Sequence, residues 1–175
     1  QEQRNFLIAF AVEPESYTRI YKEYVAPPEQ VKAFIDNRDS VMVGRALADR
    51  FGWKLGQQIP LSSNIWTRRD GSNVYPSVVR AIFDGATPQT STELLFIPYE
   101  TFDEARAFAN DQIGNIHIVT AGSDQNDRII SEVDTLFANS RAETRTTTEE
   151  AFNAAFVDQQ GNIGLIILGV TGAAF

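Results

Sequence analysis

The chain has 175 residues, 43% of them hydrophobic and 11% aromatic, enough for one domain with a real core or for two small lobes sharing one. A formal charge of -8 argues against nucleic acid and against electrostatic docking on anionic lipid, since both need clustered Lys and Arg. The absence of cysteine excludes thiol catalysis, cysteine-ligated zinc or iron–sulfur clusters and any disulfide framework, and leaves the compartment open.

Gln1 to Asn5 carry no basic segment followed by an apolar run of signal-peptide type, so any export is directed from outside these residues. Phe6 to Val12 is a continuous apolar run and predicts a strand covered on both faces. Pro14 occupies a natural first helical position, and Tyr17, Ile20, Tyr21 and Tyr24 form a largely aromatic stripe expected to pack on a sheet. Pro28 opens a second short helix with Val31, Phe34 and Ile35 on one side.

Val41 to Leu61 is the most densely punctuated stretch. A short strand at Val41 to Val43 passes through Gly44 into a helix with Ala46, Leu47 and Phe51 at helical spacing. Gly52 closes that helix, and Gly56 turns the chain into a strand over Gln57 to Leu61. Ser62 to Asn73 is polar around Asp70-Gly71 and reads as a long hairpin tip, with Val78 to Phe83 as a strand closed by Asp84-Gly85.

Glu93 to Ile97 is a further strand that ends at Pro98. Thr101 to Glu104 has capping-box spacing and predicts a helix carrying Phe102, Ala105, Phe108 and Ala109. Ile116 to Thr120 reads as a short buried strand. Ser123 or Asp124 would then cap an amphipathic helix with Ile129, Ile130, Val133, Leu136 and Phe137 on one face. Ala142 to Thr146 is extended and alternating, and Thr147 with Glu150 repeats the capping-box spacing ahead of Phe152, Ala155 and Phe156. The final run, Ile163 to Phe175, is uncharged and still apolar at its last residue. It reads either as the first half of a transmembrane helix, which needs about 20 apolar residues, or as a terminal helix or strand tucked into the core.

No catalytic, cofactor-binding or metal-binding residue is legible. The one histidine, His117, sits in the Ile116 to Val119 run without a second ligand or a carboxylate at matching spacing, and reads as a structural or solvent-facing strand residue. Nucleophile-elbow, Walker and G-x-G-x-x-G patterns are absent. The carboxylate pairs Asp36/Asp39 and Asp103/Glu104 occupy turn or cap positions. The candidate partner contact is the hairpin tip, where Trp66, Arg68 and Arg69 gather an aromatic ring and two guanidiniums, the residue types that dominate contact hot spots. The bland alternative is a twisted hairpin in which Trp66 covers its own neighbours.

G-R-A-L-A-D-R-F-G-W-K-L-G-Q-Q-I-P-L from Gly44, followed by V-V-R-A-I-F-D-G from Val78, resembles the central part of the MacB-like periplasmic core domain of FtsX-like ABC transporter permeases. Gln57 replaces the usual acidic turn residue, and Arg80-Ala81 replaces the usual Val-Gly. The resemblance extends in order over essentially the whole chain. It implies a two-lobed α+β domain held between two transmembrane helices at the inner (cell) membrane, on the periplasmic or extracellular side. Residues 1–40 and 112–160 would form a membrane-proximal lobe, 41–111 an inserted, mostly β lobe, and 161–175 the start of a transmembrane helix. It further implies no chemistry in the domain itself and no cofactor. The partners would be a cytoplasmic ATPase subunit, a second permease subunit, and a partner or substrate outside the cytoplasm. The rival reading is a free-standing soluble α+β protein, either a small-ligand binder or an enzyme with an unrecognised site.

Overall fold

A computed structural model describes residues 6–152 and 154–155. Contacts divide the chain into two compact units, residues 1–116 and 117–175.

The first unit is a mixed α+β assembly around one sheet. Its elements follow in the order β1 (Ile8–Val12), α1 (Pro14–Ile20), β2 (Tyr24–Val25), α2 (Pro28–Asp36), β3 (Ser40–Gly44), α3 (Arg45–Phe51), β4 (Gln58–Ser62), β5 (Val74–Gly85), β6 (Leu94–Pro98) and α4 (Tyr99–Ala105). The strand order is β1-β6-β3-β5-β2, with β4 also paired to β5. β1 runs parallel to β6, β3 antiparallel to β6 and parallel to β5, and both β2 and β4 antiparallel to β5.

β3 is the centre of this sheet. All five of its residues are buried, so both of its faces are covered. Val41 and Val43 join Leu47, Ile59, Val79 and Leu95 in one cluster, while Met42 joins Phe34, Ala81, Phe83 and Phe96 in the other. The odd-numbered residues of β5 from Tyr75 to Phe83 are all buried, yet Val79 serves the first cluster and Ala81 the second. The register explains this: Val41 faces Val79 and Met42 faces Ala81, so Arg80 is an extra residue that carries the alternation to the opposite face. Gln30 of α2 accepts the Ile82 amide at 2.9 Å just past this bulge.

Several elements lie where sequence periodicity predicts them. Pro14 and Pro28 open α1 and α2, Gly52 closes α3 in the left-handed region at φ 67°, and β4 and β5 pair as a hairpin. Tyr17 and Tyr24 pack on Phe96 with ring centroids 4.7 and 5.0 Å apart, as the aromatic stripe predicts.

Other expectations are corrected. β1 lies at an end of the strand order and is not covered on both faces, since Ile8 and Phe10 are each about half exposed. The division by contacts falls at residue 116, and strand pairing crosses the expected lobe boundary at 40/41. β1 and β2 pair with β6 and β5 inside a single sheet, because the backbone groups of those strands are satisfied only across that boundary. α4 begins at Tyr99 behind Pro98, two residues before the expected cap, and Thr101 Oγ1 is buried with no hydrogen-bond partner among the described residues.

In the second unit, a 3-10 turn at Ser123–Gln125 leads into α5 (Asn126–Phe137). Its apolar stripe is the one predicted, with Ile129, Ile130, Val133 and Phe137 partly covered and Leu136 exposed. Neither Ser123 nor Asp124 supplies the side-chain cap: Gln125 precedes the helix without one, and Asn126 instead accepts from the Thr120 hydroxyl at 3.0 Å. Residues 116–120 form no strand and are largely exposed, so His117 is a solvent-facing residue outside any strand. Residues 142–146 are likewise irregular, with the Thr146 amide held by Asp134 at 2.8 Å. Helical residues resume at 149, capped by Thr148, one position later than expected, whose hydroxyl accepts from the Ala151 amide at 3.2 Å. No helix among the described residues is long and apolar enough to cross a membrane. The transmembrane expectation for 161–175, together with Phe156 of the preceding stripe, lies outside the described residues.

Candidate functional site

The tip that joins β4 to β5 builds its own shape. Ser63 Oγ accepts the amides of Ile65 and Trp66 at 3.2 and 2.9 Å, which turns the chain inward after β4. Asp70 accepts the Ser72 amide at 2.9 Å, and Gly71 takes φ 82° while its amide reaches the Arg68 carbonyl at 2.9 Å. Glycine is needed there for that left-handed turn.

The tip is docked on the end of α4. The Arg69 amide donates to the Ala105 carbonyl and the Ala107 amide to the Thr67 carbonyl, each at 2.8 Å, making a short antiparallel bridge between Arg68 and Arg106. The three predicted contact residues therefore stay together but face differently. Trp66 is half-buried against the first core cluster, stacked on Phe108 at 5.1 Å and edge-on to Phe102 at 5.6 Å. Arg68 lies over Tyr75 at 5.4 Å and pairs with Asp70 at 3.2 Å. Arg69 is exposed, with its Nε 3.4 Å from the Arg106 carbonyl. Ile65 on the tip is 71% exposed, and Phe108, which stacks on Trp66, is half-exposed.

Beneath the tip sits Arg106, a charged side chain only 4% exposed. A buried guanidinium is tolerated where both its charge and its donors are met. Here Nε donates to Asp103 Oδ1 at 2.9 Å and Nη2 reaches the same carboxylate, while Nη2 also donates to the Gln112 carbonyl at 2.9 Å. Its flat faces lie 5.2 to 5.8 Å from the rings of Trp66, Phe102 and Tyr99, which supply cation–π attraction. The Tyr99 hydroxyl lies 3.1 Å from Asp103 Oδ1 and 3.0 Å from the Gln112 carbonyl.

Asp103 is thus the anionic centre of a network and not a helix cap. Burial acts to raise its pKa. The Asp111 amide, the Arg106 guanidinium and the Tyr99 hydroxyl outweigh that and hold the carboxyl below its ordinary value of 3.8. Sequence reading passed over Arg106 and Tyr99, although the i, i+3 spacing of Asp103 and Arg106 with Tyr99 one turn earlier was the available signal.

A pH dependence follows. A carboxyl whose folded value is depressed stabilises the fold above its unfolded value and loses that contribution as pH falls through the folded one. Asp84, depressed by its hydrogen bonds to Arg45, and Asp70, depressed first by the Ser72 amide, share the sign. Stability is therefore expected to fall as pH drops below about 4. The Asp103→Asn variant should flatten that slope in urea titrations run at successive pH values, and an unchanged slope would show that the network carries no such linkage.

An open groove of about 540 Å³ lies between α1 and α2, with Val25, Val31 and Ile35 as its apolar part and Glu15, Lys22 and Lys32 at its rim. Among the described residues no cluster of His, Asp and Glu is arranged to hold a metal ion. Neither a protein-family model nor a curated protein matches the chain.

Proposed function

We propose that this chain is the extracytoplasmic domain of an FtsX-like ABC transporter permease, of the MacB-like periplasmic core type. In this reading it performs no chemistry and binds no cofactor. It passes the ATP-driven motion of transmembrane helices to a substrate or partner outside the cytoplasm. The cytoplasmic ATPase subunit and a second permease subunit complete the transporter.

The observation that carries the reading is the glycine-punctuated run from Gly44 to Leu61 followed by the strand ending at Gly85. Its residues resemble the family pattern, and each of its glycines has a backbone reason. Gly44 lies where a Cβ would come within 2.2 Å of the Thr92 carbonyl oxygen, and Gly52 and Gly56 take φ values of 67° and 80°. A stiff body is what force transmission requires, and the two-sided burial of β3 is consistent with one. The uncharged run Ile163 to Phe175 supports a membrane helix at that end of the chain.

The rival, a free-standing ligand binder, would use the groove between α1 and α2. That groove is open and its rim charges are mixed, which suits a specific ligand less well than an enclosed pocket does.

The test is biochemical. The full-length gene product, extracted from membranes in detergent, is expected to bring down a subunit that hydrolyses ATP. Recovery of the product from the soluble fraction with no such subunit would overturn the proposal.

A further inference from the structure

The geometry points to a latch: the Asp103–Arg106 pair holds the hairpin tip and the segment Ala109–Ile113 closed together, so that the two open as a single unit while the sheet stays folded. This inference stands on the described structure alone and does not depend on the transporter reading.

Three separate stretches of chain converge on the pair. The tip is fastened through the backbone bonds of Arg69 to Ala105 and of Ala107 to Thr67, and through Trp66, whose ring faces the Arg106 guanidinium. α4 contributes Tyr99, Phe102 and Asp103. The following segment is held from the other side. The Asp111 amide donates to both carboxylate oxygens of Asp103 at 3.1 and 3.2 Å, and the Gln112 carbonyl accepts from Arg106 at 2.9 Å. Asn110 Nδ2 donates to the Arg106 carbonyl at 3.1 Å and to the Asp103 carbonyl at 2.5 Å.

That last segment is not at ease. Ala109 and Asp111 both sit in the left-handed region, at φ 56° and 58°, which side chains with a Cβ adopt only when surrounding contacts hold them there. The contacts that hold the segment run to Asp103 and Arg106, and the same Arg106 guanidinium faces Trp66 of the tip. Replacing Asp103 with asparagine removes the counter-charge of Arg106 and one of the two oxygens that accept the Asp111 amide in one step. The left-handed turn can then relax, and the guanidinium, no longer neutralised, leaves Trp66 and Gln112 together. The sheet clusters hold no residue of the pair, and the pairings among β3, β5 and β6 involve neither Asp103 nor Arg106. Local opening of this kind is ordinary for a sub-structure at the edge of a core, and among the described residues only Trp66, Phe102 and Ala105, all partly buried, tie it to the first cluster.

Residue-resolved amide exchange of the full chain, followed at low urea concentrations, tests the latch. In the unmodified chain the amides of Arg69, Ala107 and Asp111 are expected to share one opening constant and one urea dependence, both smaller than those of β3. Asp103→Asn is expected to raise the opening of all three together, by about tenfold or more, with β3 unchanged. Different opening constants for Ala107 and Asp111 in the unmodified chain would overturn the latch. So would a variant in which β3 exchange rises by the same factor as the tip, since the pair would then support the whole fold. Should Asp103→Asn fail to fold, the unmodified chain decides alone.

Discussion

Replacing Phe96 with alanine is expected to lower stability by about 3–5 kcal/mol, the range for emptying a buried phenylalanine site. Phe96 is 1% exposed and touches aromatic rings from four other elements or their neighbours: Phe10 of β1, Tyr17 of α1, Tyr24 of β2 and Phe83 of β5. The cavity would therefore open between α1, the short edge strand β2 and the central sheet, where the backbone pairing of β3, β5 and β6 limits collapse. Small domains keep only about 5–15 kcal/mol in total, so this one change removes a large share of it. In urea titration the midpoint should fall with the slope unchanged. Ile65→Ala, at a side chain 71% exposed, is the control and should cost under about 0.5 kcal/mol. A Phe96→Ala loss no larger than the control's would mean that the second cluster is not a packed core.

The second large effect is expected at Gly44. Helix α3 has no side-chain cap of its own, and its first amides are met by residue 92 from across the fold: Leu47 donates to the Thr92 carbonyl at 3.1 Å and Ala46 to the Thr92 hydroxyl at 3.3 Å. Bringing that backbone so close leaves no room for a Cβ on residue 44, which would meet the Thr92 carbonyl oxygen at 2.2 Å and its carbon at 2.6 Å. Gly44→Ala must therefore push residue 92 away and surrender the cap. Overpacking costs about 1–3 kcal/mol and a lost cap about 1 more, so about 2–4 kcal/mol is expected in all. Gly52→Ala separates this from a purely conformational effect. Nothing lies within 4 Å of a Cβ there, and only the positive φ of 67° is penalised, by about 1–2 kcal/mol. Urea titration of both variants checks the order, and Gly52→Ala proving the more harmful would contradict the close-approach explanation.

Comparing these positions shows what local sequence can and cannot carry. Gly52, Gly56, Pro14 and Pro28 act through their own backbone, so the turns and helix starts they mark were readable. The hairpin between β4 and β5 was readable for the same reason, since Asp70-Gly71 lies between two strand-like runs. Gly44 was readable as punctuation only, because the reason for it is Thr92, nearly fifty positions away. The apolar run of β1 reads as an internal strand because it records hydrophobicity and not how many neighbours the strand has. Thr101 reads as a cap because its spacing to Glu104 fits, but Pro98 already ends β6 and the helix starts directly behind it. The bulge at Arg80 left no mark in an alternation that looks regular in β5.

The candidate site divides in the same way. Trp66, Arg68 and Arg69 stood out as unusual residues in an acidic chain, and the structure keeps them on one tip. Their roles differ because of Arg106, whose burial depends on a carboxylate one turn away and on aromatic rings from two segments. What the tip leaves open to a partner is Arg69 with Ile65 and Phe108, since Trp66 and Arg68 are largely engaged within the fold. On the transporter reading, a partner contact there would act on the tip and through it on the latch.

The most direct test of the proposed role uses the absence of cysteine from these residues. Gln89 is exposed in the loop between β5 and β6, and Gln89→Cys introduces a single thiol there. In intact cells producing the full-length protein, a maleimide that cannot cross the cell membrane should label this variant above the background of the unsubstituted protein. Labelling only after the cells are broken open would place the domain inside the cytoplasm and contradict the transporter reading.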